Sequence, residues 1–261
     1  MTEQPSRARA VAESFGVDPE RYDRTRPAYP PAFLERLVAA LPGRDVLDIG
    51  TGTGILARQL AGKGCRVWGV EPDERMAAFA RMTGVAVDVA TFEEWDPHGR
   101  TVDAVVAGTA WHWVDPDLGT AKAAQVLRPG GLLVPVWNVV FGESRVDQAF
   151  ADAFAELVPE APFRLPTGLT GTDAYARLLD LASTAIRAQA GFGEPERWEF
   201  AWDRTCTREE WLDLLPTSGA LTRVDATRRE VILDRVGAVI DALGGSFTAT
   251  GSTLALVAVR G

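Results

Sequence analysis

The chain has 261 residues, 46% of them hydrophobic, enough apolar material for the core of one large domain. Its formal charge of −9 at pH 7 opposes binding to nucleic acid or to an anionic membrane surface, since both need a positive field. The N-terminus MTEQPSRARAVAESFG lacks the apolar core of an export signal, and nowhere do ~18 uninterrupted apolar residues mark a membrane span. Two cysteines, Cys65 and Cys206, are too few for a disulfide framework and lack metal-site spacing, so a cytoplasmic protein with no metal centre is expected. Basic residues are nearly all arginine, which fits a GC-rich bacterial source.

Residues 32–41, AFLERLVAAL, set Phe33, Leu34, Leu37, Val38 and Leu41 on one helical face between Pro30-Pro31 and Pro42-Gly43, which predicts an amphipathic helix. Val46-Leu47 reads as the first strand, 55–61 as a helix and 66–70 as the second strand. Residues 72–81 read as helix, Val85, Val87 and Val89 alternate as a strand, and 102–107 form a strand apolar on both faces. A helix over 118–127 ends at Arg128-Pro129-Gly130-Gly131, and a strand follows over 132–137. Pro135 has no amide hydrogen to donate, which predicts a bulge or irregular pairing there. The alternation predicts a doubly wound α/β fold, a parallel sheet with helices on both faces.

Beyond Asn138 the pattern changes. Val146, Phe150, Phe154 and Leu157 mark a helix, the loop PEAPFRLPTGLTGTD follows, and another helix covers 175–186. Trp198, Phe200 and Trp202 alternate as a strand, Thr207 and Glu210 form a capping-box signature, Ile232, Val236, Val239 and Leu243 mark a longer helix, and 254–259 close the chain as a strand. A single domain over 1–261 is expected. Its parts are cap helices in 1–43, a ligand-binding core in 44–138, a helical insertion over the substrate side in 139–197, and strands and helices completing the sheet in 198–261.

Residues 48–54, DIGTGTG, place glycines at alternate positions where the first strand hands over to a helix. Gly50, Gly52 and Gly54 remove side chains where the backbone must turn and where a ligand must approach the helix N-terminus. A dinucleotide fold usually wants G-x-G-x-x-G, whereas here the third glycine arrives one residue early and position 55 is Ile. Glu71 follows the second strand at the distance where nucleotide folds set a carboxylate on the ribose hydroxyls. Turn and carboxylate together predict a nucleoside site.

In order, VLDIGTGTG, WGVEPDERM, AWHWVDP and LRPGGLL resemble the class I S-adenosylmethionine-dependent methyltransferases, over roughly residues 20–140. The opening YDRTRPAYP and the AWHW stretch resemble the bacterial small-molecule, methyltransferase type 11-like branch. The resemblance implies a Rossmann-like sheet of seven strands, mostly parallel with an antiparallel last strand, and a helical insertion after the fifth. It implies S-adenosyl-L-methionine as cofactor and S-adenosyl-L-homocysteine as product. Asp48, Gly50, Thr51 and Gly52 would surround the methionine part, Glu71 would hold the ribose, and Pro72 and Met76 would border the adenine. Where relatives often carry an acidic residue for the adenine amino group, this chain has Thr91 and Phe92. Gly108 and Thr109 would pass beside the cofactor, and Tyr22 and Arg26 lie in the segment that would fold over its end, with Arg26 suited to pair with its carboxylate.

The sulfonium is already activated, so methyl transfer depends mainly on positioning an acceptor in line with the methyl carbon. His112, after the fourth strand, is the candidate general base, although a histidine between two tryptophans also suits packing or a hydrogen bond to a carbonyl. Tyr29, Trp111, Trp113 and Phe141 are candidates for the wall of the substrate pocket, with indole faces able to attract a sulfonium or ammonium. The expected function is methylation of a small-molecule acceptor. A nicotinamide-dependent oxidoreductase and a non-catalytic S-adenosylmethionine-binding protein are the alternatives, and the acceptor atom and oligomeric state are left open.

Overall fold

The computed structural model describes residues 13–165, 167 and 171–261. Residues 1–12 of the expected cap, and Pro166 and 168–170 of the loop before the second insertion helix, lie outside the described residues. Seven strands form one sheet: β1 Asp45–Ile49, β2 Arg66–Glu71, β3 Ala86–Val89, β4 Val102–Gly108, β5 Leu127–Phe141, β6 Glu196–Thr207 and β7 Ser246–Val259, in the order β3-β2-β1-β4-β5-β7-β6. The helices are α1 Pro19–Thr25, α2 Pro31–Ala40, α3 Ile55–Gly62, α4 Glu74–Met82, α5 Pro116–Val126, α6 Ser144–Leu157, α7 Gly171–Ala188, α8 Arg208–Leu214 and α9 Ala226–Ala242.

The first five strands pair in parallel, with β1 between β2 and β4. Strand order reverses at β1, and the crevice at the carboxyl ends of β1 and β4 is where open α/β sheets hold ligands. β7 runs the other way: Gly130 near the start of β5 bonds to Arg260, while Asn138 further along β5 meets Thr253. β6 is antiparallel to β7 by the same test, since Gly193 bonds to Val259 and Glu199 meets Ser252. This is the expected Rossmann-like sheet, with β7 alone reversed, since β6, antiparallel to β7, runs with β1 to β5.

Two details differ from expectation for readable reasons. The helix after β2 begins at Glu74, because the Asp73 side chain accepts from the Arg75 and Met76 amides as N-cap and leaves Pro72 in the preceding loop. Pro135 makes no bulge: it pairs in regular register with Ala107. The carbonyl of its neighbour Val136 accepts from Thr109 N, so by alternation the hydrogen-less nitrogen of Pro135 faces β7 and the β4–β5 ladder loses nothing. The irregularity lies instead between Val102 and Ala104, opposite Pro129-Gly130-Gly131.

Contacts divide the chain into two compact units. The larger, Pro27–Asn138 with Tyr175–Phe200 and Ser252–Gly261, holds β1 to β4. One face of its sheet (Val46, Ala104, Val106, Val134, Val136) packs on Phe33, Leu34 and Leu37 of α2 and Leu56 and Leu60 of α3. Burial of such aliphatic and aromatic side chains is worth roughly 1.5–3 kcal/mol each. The other unit comprises the described residues of Met1–Arg26, Val139–Ala174 and Ala201–Gly251. Its core joins Val146 and Phe154 of α6, Trp211 and Leu214 of α8, Ile232, Val236 and Ile240 of α9, and Phe247 of β7. The Thr207–Glu210 capping box starts α8 as expected, and Asp213 on α8 takes ion pairs from Arg21 and Arg24. Among the described residues, no helix is long and apolar enough to cross a membrane.

Candidate active site

The site is built from the turn after β1. Gly50, Gly52 and Gly54 all have left-handed φ values, +58°, +56° and +89°, which side chains on L-residues resist. The turn is tied down by Thr51 N donating to Val70 O at 3.2 Å and Gly54 N to Thr51 O at 2.8 Å. The first two glycines serve different ends. A Cβ on Gly50 would lie 2.5 Å from Ala110 Cβ, so this glycine admits the segment after β4, whereas a Cβ on Gly52 would meet nothing within 4 Å. Gly52 therefore presents bare backbone to open space. Gly69 in β2 is a participant that pattern reading missed, because a Cβ there would sit 2.7 Å from the Thr51 side chain.

Glu71, at the end of β2, bridges two loops. Its Oε2 accepts from Gly52 N at 2.8 Å and its Oε1 from Asp73 N at 2.9 Å. The residue is buried, and desolvation pushes its carboxyl up to about 7 despite these amides. Asp48, buried at the end of β1, accepts from the Thr51 hydroxyl at 2.7 Å, and desolvation with the nearby Glu71 charge pushes it up to about 7 as well. Each Glu71 oxygen keeps a lone pair beyond its amide bond, which is what two hydroxyls of a diol require.

Beyond β3 lies an aromatic wall. Phe92 is buried against Trp95 and Trp111, with centroids 6.4 and 6.5 Å away, and the Lys122 ammonium stands 5.8 Å from its ring centre. Asp88, which no local pattern marks, fixes this loop: its Oδ2 accepts from Trp68 Nε1 at 2.9 Å, Trp95 Nε1 at 2.8 Å and Arg100 at 3.4 Å. Met76 is buried at the start of α4, Pro72 is exposed and Thr91 half-buried.

At the end of β4, Gly108 leads into Thr109, which holds φ +53°, an uncommon conformation for a β-branched residue. It is pinned there by Thr109 N donating to Val136 O at 2.6 Å and by its hydroxyl accepting from Asn138 N at 3.1 Å. Such over-determined strain clusters at functional sites. The Asn138 side chain donates to the carbonyls of Pro27 and Ala28 at 2.9 and 3.1 Å and accepts from Thr253 Oγ1 at 2.7 Å. Gln59 grips the next residue, accepting from Tyr29 N at 2.9 Å and donating to Tyr29 O at 3.0 Å. Two amide side chains, Asn138 of β5 and Gln59 of α3, thus strap residues 27–29, with the Tyr29 hydroxyl against Gly108, where a Cβ would lie 2.5 Å from it.

His112 sits in a single 3₁₀ turn, Trp111–Trp113. Trp111 is buried, Trp113 is 37% exposed, and the His112 and Trp113 rings lie 4.6 Å apart. The fully buried Trp137 of β5 donates from Nε1 to His112 Nδ1 at 3.2 Å, and burial lowers the imidazole to about 4. The other three candidates belong to the second unit. Tyr22 and Arg26 stand together, the guanidinium 4.8 Å from the ring centre and bonded to the Thr217 carbonyl, and Phe141 ends β5.

A family described as methyltransferase domain matches residues 46–131, the stretch from β1 to the start of β5. An uncharacterized methyltransferase of Mycobacterium tuberculosis is 41% identical over 132 residues, 50% of this chain and 54% of that protein, so the chain spans about half the length of this curated relative. An uncharacterized methyltransferase of Geobacillus kaustophilus is 32% identical over 165 residues, 59% of this chain and 71% of that one. Among solved structures, a candidate type II methyltransferase from Anaeromyxobacter dehalogenans matches with TM-score 0.63 and 26% identity, covering 90% of this chain and 97% of the other.

Proposed function

The chain belongs to the class I S-adenosylmethionine-dependent methyltransferases, and from that premise we propose that it transfers the methyl group of S-adenosylmethionine to a small organic acceptor. The observation that carries this reading is the bare face of Gly52 beside the amide-bonded Glu71 carboxylate. The residues present fit the cofactor: open space where a Cβ would stand, a buried carboxylate with lone pairs for a sugar diol, and buried apolar side chains, Met76 at the start of α4 and Phe92 after β3, suited to a purine. When bound, S-adenosylmethionine supplies a methyl group on a positively charged sulfur.

In this reading Asp48, Gly50, Thr51 and Gly52 receive the methionine end and Glu71 orients the ribose. Pro72, Met76, Thr91 and Phe92 enclose the adenine, and Gly108 and Thr109 hold the backbone close to the sulfur. With no acidic side chain at Thr91 or Phe92, adenine is held by apolar contact and backbone donors. Tyr29, Trp111, His112 and Trp113 face the acceptor. The charge of −9 supports a small acceptor over a polyanion.

The test is incubation with methyl-labelled S-adenosylmethionine and a panel of phenols, carboxylic acids and amines. Label appearing in a small acceptor, with S-adenosylhomocysteine formed in equal amount, supports the proposal. Saturable cofactor binding without transfer to any acceptor would point to a non-catalytic binding protein, and binding of NADH in place of the sulfonium to an oxidoreductase.

A further inference from the structure

The pairing of His112 with Trp137 decides what chemistry the imidazole performs. An indole Nε1 is a donor only, so the 3.2 Å contact requires a lone pair on His112 Nδ1. In a neutral imidazole the proton then resides on Nε2. Trp137 is fully buried on a central strand and has no room to turn away. Among the described residues none hydrogen-bonds to Nε2, which leaves that N–H for a ligand. A general base needs a lone pair facing the acceptor, and here one nitrogen is occupied by the indole while the other already carries hydrogen. Burial alone accounts for the lowered imidazole pKa, with no charged side chain contributing, so the ring stays neutral across physiological pH.

Resting on the methyltransferase reading above, we propose that His112 is a neutral hydrogen-bond donor, locked as the Nε2–H tautomer by Trp137, and that the acceptor is an anionic oxygen such as a phenolate, enolate or carboxylate. The acceptor oxygen accepts the Nε2–H bond with one lone pair and turns another toward the methyl carbon. The O–C bond forms as the S–C bond breaks, and the breaking pair stays on sulfur as a neutral thioether. The anionic acceptor becomes a neutral methyl ether or ester, and no proton moves in the step. His112 thereby favours the ionised acceptor and holds it in line.

The spectroscopic test needs no acceptor. The chain has two histidines, so long-range ¹H–¹⁵N correlation spectra of the ¹⁵N-labelled protein contain two imidazole patterns, and H112Q assigns them. The expected His112 pattern has a pyridine-type Nδ1 and a protonated Nε2, unchanged from pH 5.5 to 8. A protonated Nδ1, or titration within that range, overturns the proposal. In W137F the pattern is expected to relax to a tautomer mixture, and an unchanged pattern overturns the assignment of Trp137 as the lock. Calorimetry with S-adenosylhomocysteine on the same sample separates the two readings: lost binding counts against the methyltransferase site, whereas an altered tautomer with binding intact counts against the His112 role alone. With an acceptor in hand, H112Q, whose amide restores a donor near Nε2, is expected to keep activity to within about tenfold while H112F falls further. If H112Q falls as far as H112F, by the 10²–10⁴-fold typical of a lost general base, the donor role is refuted.

Discussion

In the proposed site, Glu71 would tie cofactor affinity to pH in a direction opposite to that of stability. Burial raises its folded-state carboxyl from 4.5 to about 7, so folding favours the protonated form. Its contribution to stability is fully present below about pH 4.5 and is lost as pH rises through 7, amounting to about 3 kcal/mol for that shift. Asp48, also raised to about 7 chiefly by burial, contributes with the same sign. A ribose diol donating two hydrogen bonds favours the charged carboxylate, so cofactor binding follows the ionised fraction. That fraction is roughly nine tenths at pH 8 and one tenth at pH 6 for a group titrating near 7, which predicts about tenfold weaker S-adenosylhomocysteine binding at pH 6, or about 1.4 kcal/mol. Calorimetry at pH 7 in two buffers of different ionisation enthalpy is expected to record about half a proton released per ligand bound. Glu71→Gln is expected to bind more weakly and to lose that proton release. A wild-type affinity that is flat between pH 6 and 8, or an equal slope in Glu71→Gln, refutes the reasoning.

Gly52→Ala places a methyl group in the open face at φ +56°, so it is expected to cost about 1 kcal/mol in stability and to weaken cofactor binding far more, whereas Gly50→Ala, which collides with Ala110, is expected chiefly to lower the melting temperature. Calorimetry and thermal melts distinguish the two. Asp88→Ala strands two indole N–H groups and is expected to cost about 2–4 kcal/mol in urea unfolding. Although burial raises the Asp88 carboxyl, donors from Trp95, Trp68 and Arg100 hold it below the ordinary range, so its stabilisation is lost as pH falls through the folded-state pKa. Asn138→Ala removes three side-chain hydrogen bonds and leaves the buried Thr253 hydroxyl unpaired, for an expected loss of about 2–4 kcal/mol in the same assay.

The glycine turn and Glu71 were legible because they answer backbone demands that only certain residues meet: left-handed φ at alternate positions, and a carboxylate where the second strand ends. Helices α2, α6 and α9 were equally legible from their apolar periodicity. The lengths of β5 and β7 were not. Arg128-Pro129-Gly130-Gly131 reads as a turn, yet it lies within β5, where Gly130 and Gly131 pair with Arg260. The closing strand read over 254–259 extends back to Ser246 through Gly251, whose missing side chain admits the Trp202 ring. Asp88, Asn138, Gln59 and Trp137 escaped notice for a common reason. Each is an ordinary polar or aromatic residue whose meaning comes from a partner on another segment, and no local pattern encodes that pairing. The same holds for His112, whose position suggested a base while its protonation depends on an indole 25 residues later.

The central claim is that bare backbone at Gly52 and the carboxylate of Glu71 together seat the adenosyl group. A crystal structure with S-adenosylhomocysteine tests it most directly. The expected result has both ribose hydroxyls within hydrogen-bond distance of Glu71, the amino-acid chain over Gly50 to Gly52, and the adenine beside Met76 and Phe92. A ligand bound elsewhere, with Glu71 still engaging only the Gly52 and Asp73 amides, would contradict it.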